Sequence, residues 1–281
     1  MKKDSKPDYI GADYNFDTPL SSSVIDELPL WSAPFGLKLL DTVVYRKNIT
    51  ALDIGFGTGF PLIELAQRLG KCSVVYGIDP WRPSHRRANY RIKFFGITNV
   101  KLLFAAAERI PLGDNSVDLI ISNNGINNVQ DADKVFGECG RIAKKGAQFV
   151  ATVNLDGTMK EFYQAFFKVL KKYRMKTEAD SLKKHINEKR RPLEEIESLF
   201  TNHGFSITDV FTDEFTMKFS DTEAFFCHSL IRTGFLPNWE RVLSKGNRKK
   251  LFREVLEEMK PSSDGSYALT IPFAVFNSAK L

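Results

Sequence analysis

Leu52-Asp53-Ile54-Gly55-Phe56-Gly57-Thr58-Gly59-Phe60-Pro61 is the stretch on which the fold turns. A short apolar run ends in three glycines at alternate positions, and a helical stripe of Leu62, Leu65, Ala66 and Leu69 follows until Gly70. Glycine lets the backbone turn tightly and approach a ligand closely, and Pro61 suits the first turn of a helix. The segment therefore reads as strand, tight loop and helix. The dinucleotide fingerprint G-x-G-x-x-G needs a third glycine at position 60, where this chain has Phe60, so a nicotinamide cofactor is disfavoured.

Outward from this loop, residues 50–153 alternate between short apolar β-rich runs and amphipathic helices, the signature of βαβ units and a parallel sheet. Strands are expected at residues 51–54, 73–78, 100–104, 117–122 and 148–153, with a second helical stripe through Val135, Phe136, Cys139 and Ile142. Upstream, an apolar helical pattern through Leu37, Leu39, Leu40, Val43 and Val44 has Ser32 as its candidate cap. Downstream come an aromatic helical stripe from Met159 to Leu170, a basic polar stretch over 171–191 and a helix over 193–203 closed by Gly204. A strand over 205–211, a helical insertion over about 222–259 and a final strand over 267–276 complete the chain.

The 281 residues carry 40 Lys plus Arg against 34 Asp plus Glu, a formal charge of +6, with 43% hydrophobic and 26% charged residues. That composition excludes disorder, collagen and a disulfide scaffold. No apolar run approaches the roughly 18 to 20 residues that span a bilayer, and the charged N-terminus leads into no apolar signal core. A cytoplasmic protein is expected. Cys72, Cys139 and Cys227 are odd in number and lack metal-site spacing, so they read as small buried hydrophobes, with no metal expected. The positive surplus permits contact with nucleic acid but is spread among many acids.

Twenty residues after Gly59, at the end of the second expected strand, stands Gly77-Ile78-Asp79-Pro80. A carboxylate there can accept both hydroxyl hydrogens of a ribose. With Asp53 ahead of Gly55, Gly57 and Gly59, Asp79 after the second strand, and Ala107-Glu108-Arg109-Ile110-Pro111 after the third, the chain resembles the class I S-adenosylmethionine-dependent methyltransferases. Ser116-Val117-Asp118-Leu119-Ile120-Ile121-Ser122-Asn123-Asn124 resembles the family's fourth strand and loop, and Lys144-Lys145-Gly146 its turn before the fifth.

The resemblance covers residues 48–155 and implies an α/β fold: a doubly wound, Rossmann-like seven-stranded sheet, five strands parallel plus a sixth and seventh pair, one antiparallel. It implies a helical cap over 1–48 and a main domain over 49–281 with helical insertions at about 156–190 and 221–264. S-adenosyl-L-methionine is the implied cofactor, with Asp53, Gly55, Phe56, Gly57, Thr58, Gly59, Asp79, Pro80, Ala106, Ala107, Glu108, Asn123 and Asn124 around it. Asp79 would hold the ribose, Ala107 and Glu108 would lie near the adenine, and Asn123 beside the sulfonium. The sequence departs from the family at Ala106, where many members carry an acid, and at Asn127, often His, and it names no catalytic base.

A small-molecule acceptor is expected, in a pocket made by the cap and both insertions, moderately apolar if Trp31, Phe35, Phe225 and Phe226 face it. A nucleic-acid methyltransferase is the rival, although Ser122-Asn123-Asn124-Gly125 is not the Asn/Asp-Pro-Pro-aromatic motif of base-amino methylation. A cofactor-binding module without catalysis is the other alternative. His85, His185, His203 and His228 show no catalytic spacing, and the arginines at 82, 86, 87 and 91 and the basic cluster at 245–253 read as solvated faces.

Overall fold

The computed structural model describes Ile10, Gly11, Asn15, Thr18 and residues 29–281. Most of the expected N-terminal cap lies outside these residues; its described part is α1 (Pro29–Thr42). Ser32 sits inside that helix rather than at its cap. The chain continues through β1 (Thr50–Ile54), α2 (Leu62–Leu69), β2 (Val74–Ile78), α3 (Arg82–Phe94), β3 (Val100–Leu103), β4 (Val117–Asn123), α4 (Ala132–Ile142) and β5 (Ala143–Asn154). Beyond these come α5 (Lys160–Lys172), α6 (Lys176–Lys189), α7 (Leu193–Asn202), β6 (Phe205–Phe219), α8 (Thr222–Cys227), α9 (Leu236–Val242), α10 (Arg248–Glu258) and β7 (Tyr267–Lys280).

The seven strands form one sheet in the order β3-β2-β1-β4-β5-β7-β6. The first five pair in parallel and β7 runs antiparallel to β5, as the resemblance implies. Parallel strands covered on both faces are apolar almost throughout; residues 51–54 and 119–122 are buried without interruption. Two compact units are formed. The sheet unit takes in the described residues up to Leu155 apart from Ile10, Gly11 and Asn15, and Arg191–Asp213 and Phe273–Leu281. The helical unit comprises Asp156–Arg190, Glu214–Pro272 and those three N-terminal residues.

In the sheet unit, α2 buries Leu62, Ile63, Leu65, Ala66 and Leu69 and stops at Gly70, whose φ of 71° is open to glycine at little cost. Asp131 caps α4 by accepting from Lys134 N at 3.2 Å. Phe136, Phe149 and Phe200 pack edge-on or tilted at centroid distances of 4.8 to 5.6 Å. Burial of each such ring contributes about 1.5 to 3 kcal/mol.

Several expectations are corrected. β5 begins at Ala143 instead of 148, because Lys144-Lys145-Gly146 forms an irregularity inside the strand and not a turn before it. Lys144 Nζ there lies 2.9 Å from Asp118, whose other role is to accept from Thr50 N. β6 runs on to Phe219. The basic stretch, within the helical insertion expected at about 156–190, forms the helix α6.

In the helical unit, Phe162 stacks on Trp239 at 4.0 Å, and Phe166, Phe225, Phe226 and Phe252 surround the pair. Phe225 and Phe226 are fully buried in this aromatic core and face no open pocket, and Phe35 is likewise buried within the sheet unit. Cys139 is buried, but Cys72 and Cys227 are exposed, contrary to the expectation for all three. No helix among the described residues is long and apolar enough to cross a membrane.

Candidate functional site

Parallel α/β sheets bind ligands outside the carboxyl ends of their strands, where the strand order reverses. That reversal lies between β1 and β4. Asp53 and the glycine loop follow β1, Asp79 and Pro80 follow β2, Ala106, Ala107 and Glu108 follow β3, and Asn123 and Asn124 end β4. The topology thus gathers all of these residues at one edge of the sheet.

The three loop glycines adopt positive φ of 77°, 53° and 113° at positions 55, 57 and 59, but for different reasons. A Cβ at Gly55 would stand 2.8 Å from Gly125 Cα, and one at Gly59 would stand 2.7 Å from Ile63 Cδ1. A Cβ at Gly57 would meet nothing within 4 Å. Gly55 is a packing requirement against backbone, Gly59 is favoured by its φ, and Gly57 is the open side of the cradle. Phe56 between them is wholly buried, so only its backbone faces the loop surface. Thr58 O accepts from Arg91 Nη1 at 3.1 Å, which ties the loop to α3.

Asp79 binds the cradle from the neighbouring strand. Its Oδ2 accepts from Gly57 N at 2.9 Å and its Oδ1 from Trp81 N at 2.8 Å. Burial raises its pKa, with those two N–H groups and His85 opposing the rise. His85 Nε2 lies 2.7 Å from Asp79 O, and its ring packs edge-on between Phe56 and Phe104 at 4.9 and 5.3 Å. The sequence hid this role, which is set by a six-residue step from Asp79 into the first turn of α3.

Asp53 is fully buried, and neither carboxylate oxygen has a well-formed hydrogen bond among the described residues, the Leu62 N–H lending it only slight support. Desolvation, then the charge of Asp79, holds its pKa well above the usual carboxylate range. Pro80 and Ala106 are exposed and Ala107 is buried. Glu108 turns away to the start of α4, where its Oε1 accepts from Gln130 N and Asp131 N at 2.9 and 3.2 Å.

The third side of the edge is a set of amides that the sequence did not connect. Asn123 Nδ2 donates to Ser32 O at 3.1 Å and its Oδ1 accepts from Thr152 Oγ1 at 2.9 Å. Asn127 Nδ2 donates to Asn124 Oδ1 and Asn154 Oδ1. Asn124 Nδ2 is buried and donates to nothing among the described residues. Gly125 makes the approach of this loop to β1 possible, since a Cβ there would stand 2.2 Å from Ile54 O.

Residues 52–151, which hold the glycine loop, Asp79 and the loop from Asn123 to Asn127, match the family model described as a methyltransferase domain. This stretch is similar to a methyltransferase domain, and the fold around it is the Rossmann-like fold of S-adenosylmethionine-dependent methyltransferases. It is 32% identical over 135 residues to a demethylmenaquinone methyltransferase of Geobacillus kaustophilus, covering 47% of this chain and 58% of that protein. Another, of Anoxybacillus flavithermus, is 29% identical over 168 residues, 57% of this chain and 71% of the relative. A SAM-dependent methyltransferase of Aquifex aeolicus shares the fold, with a TM-score of 0.55 at 17% identity over 93% of this chain and 98% of the other. This chain spans about three-fifths of the length of the Geobacillus relative.

Proposed function

We propose that this chain transfers a methyl group from S-adenosylmethionine to a small-molecule acceptor. The observation that carries the reading is the pairing of Asp79 with Gly57: a carboxylate fixed by backbone N–H groups beside the one loop glycine whose side-chain direction is open. Each Asp79 oxygen has accepted one hydrogen bond from these groups and retains capacity for a ribose hydroxyl. The orphaned Asn124 Nδ2 fits an oxygen of a bound ligand, because a buried donor without an acceptor is costly.

The cofactor supplies an electrophilic methyl on a positively charged sulfur. The chain supplies alignment for in-line displacement. Asp79 holds the ribose, the cradle at Gly55, Phe56, Gly57, Thr58 and Gly59 lets backbone approach the methionine portion, and Asp53 beneath it completes the cradle. Pro80, Ala106, Ala107 and Glu108 border the adenine, and Asn123 and Asn124 border the sulfonium. Glu108 acts there through its backbone, since its carboxylate is committed to α4.

We assign acceptor choice to residues 1–48 and the insertions at about 156–190 and 221–264, which lie outside or beyond the matched residues. Demethylmenaquinone, the acceptor named for the relatives, is the first to try. Three free cysteines support a cytoplasmic setting. Calorimetry with S-adenosylmethionine and S-adenosylhomocysteine tests the reading: wild type binds both, and Asp79→Ala binds roughly 10- to 100-fold more weakly, as expected for loss of a charge-assisted contact. No binding by wild type would overturn it.

A further inference from the structure

The helical unit holds a positive charge that no hydrogen bond or ion pair neutralises among the described residues. Arg190 caps the C-terminus of α6, its backbone N–H donating to Ile186 O at 3.0 Å, and only 4% of the residue is exposed. Its Nε is buried and donates to no acceptor, and no hydrogen bond or ion pair of its guanidinium occurs among the described residues. Its surroundings are aromatic and basic. Tyr163 lies beneath it, the ring centroid 5.5 Å from Cζ. The Tyr163 hydroxyl accepts from Trp239 Nε1 at 3.0 Å, which leaves its own proton as a second donor. His185 is pushed toward its neutral form, by burial first and then by Arg190 and Lys189, while Glu188 opposes them. Glu188 itself lies 3.8 Å from Lys184.

Arginine is almost never fully buried unless paired, because desolvation of its charge must be offset by an anion and by acceptors for its N–H groups. We propose that Arg190 anchors an oxyanion site in the helical unit, which takes the carboxylate or phosphate of a small molecule. The planar guanidinium fork matches either group through two parallel hydrogen bonds. The site is independent of the glycine cradle and of Asp79, and its test uses no cofactor.

Thermal melts of the full chain are compared for wild type and Arg190→Met at constant ionic strength, in anion-poor buffer and with benzoate or inorganic phosphate added. Methionine keeps the apolar stem and the backbone cap. The wild-type midpoint rises by a few degrees with one or both anions, and which of them acts identifies carboxylate or phosphate as the ligand chemistry. The Met variant shows no rise, and without anion it melts at or above wild type because a solitary buried charge has gone. The saturating anion also moves the His185 imidazole titration upward in wild type only. Equal stabilisation of both proteins, no stabilisation of either, or a variant less stable than wild type in anion-poor buffer would each overturn the proposal.

Discussion

Gly57 and Gly125 lie in loops at the same sheet edge and fail differently when changed. Alanine at Gly57 meets no atom within 4 Å but must hold a φ of 53°, so it costs about 1 to 2 kcal/mol of stability. Its methyl group occupies the open side of the cradle, and S-adenosylhomocysteine binding is expected to weaken by at least roughly tenfold. Alanine at Gly125 drives a methyl to 2.2 Å from Ile54 O, so it costs about 3 kcal/mol or more and lowers the melting point first. Melts and calorimetry on both variants separate the two, and equal binding loss per degree of melting would sink the distinction. A pH dependence belongs to the same scale. Asp53 has a folded pKa above its unfolded value, so the folded state binds more protons between the two, and stability falls as pH rises through that window. Asp79 is shifted in the same sense. Asp53→Asn is expected to flatten the fall of melting temperature as pH rises above the usual carboxylate range, without abolishing it; an unchanged slope would remove Asp53 as its source. The glycines and Asp79 were legible in the sequence because positive φ and a strand-end acid leave a mark in residue type. The amide set was not, since Asn127 meets Asn154 and Asn123 meets Ser32 only through folding.

Elements were legible where many side chains shared the burial. α2 and α4 each bury five residues at helical spacing, and both were evident. α6 buries only Leu182, so its fourteen residues read as a basic polar stretch with no apolar stripe to mark where the helix begins and ends. β5 was shortened for the opposite reason: Gly146, with φ of 74°, carries a turn signal but serves an irregularity within a strand. The dependence of α6 on one anchor makes a prediction. Leu182→Ala is expected to cost about 2 to 5 kcal/mol and to release backbone amides of α6 to hydrogen exchange ahead of those of α5. Exchange in α6 unchanged from wild type would show that its contacts with α5 and α9 hold it without Leu182.

At the scale of the whole molecule, the net charge of +6 is the property that a nucleic-acid partner would need, and many of the cations behind it are paired with acids. Within the helical unit, Lys168 meets Glu258, Lys172 meets Glu254 and Lys218 meets Asp264 at 2.7 to 3.0 Å. Within the sheet unit, Arg141 meets Glu138 and Asp114, both at 2.7 Å. Exposed pairs of this kind add little stability, but they place acids beside these cations. The fold itself does not discriminate between acceptors, because function lives in sites placed on it. Charge does, through salt: a protein making 6 to 10 phosphate contacts loses about 10³ to 10⁵ in affinity between 50 and 200 mM salt. Cofactor binding at Asp79 and Gly57 releases no such counterions and is expected to change by less than roughly threefold over that range, with no RNA or duplex DNA bound tightly at the lower salt. Titration of labelled RNA and DNA beside S-adenosylhomocysteine, at both salt concentrations, measures this. Tight, steeply salt-dependent nucleic-acid binding would move the acceptor from a small molecule to a polynucleotide, while leaving the cradle and its cofactor in place.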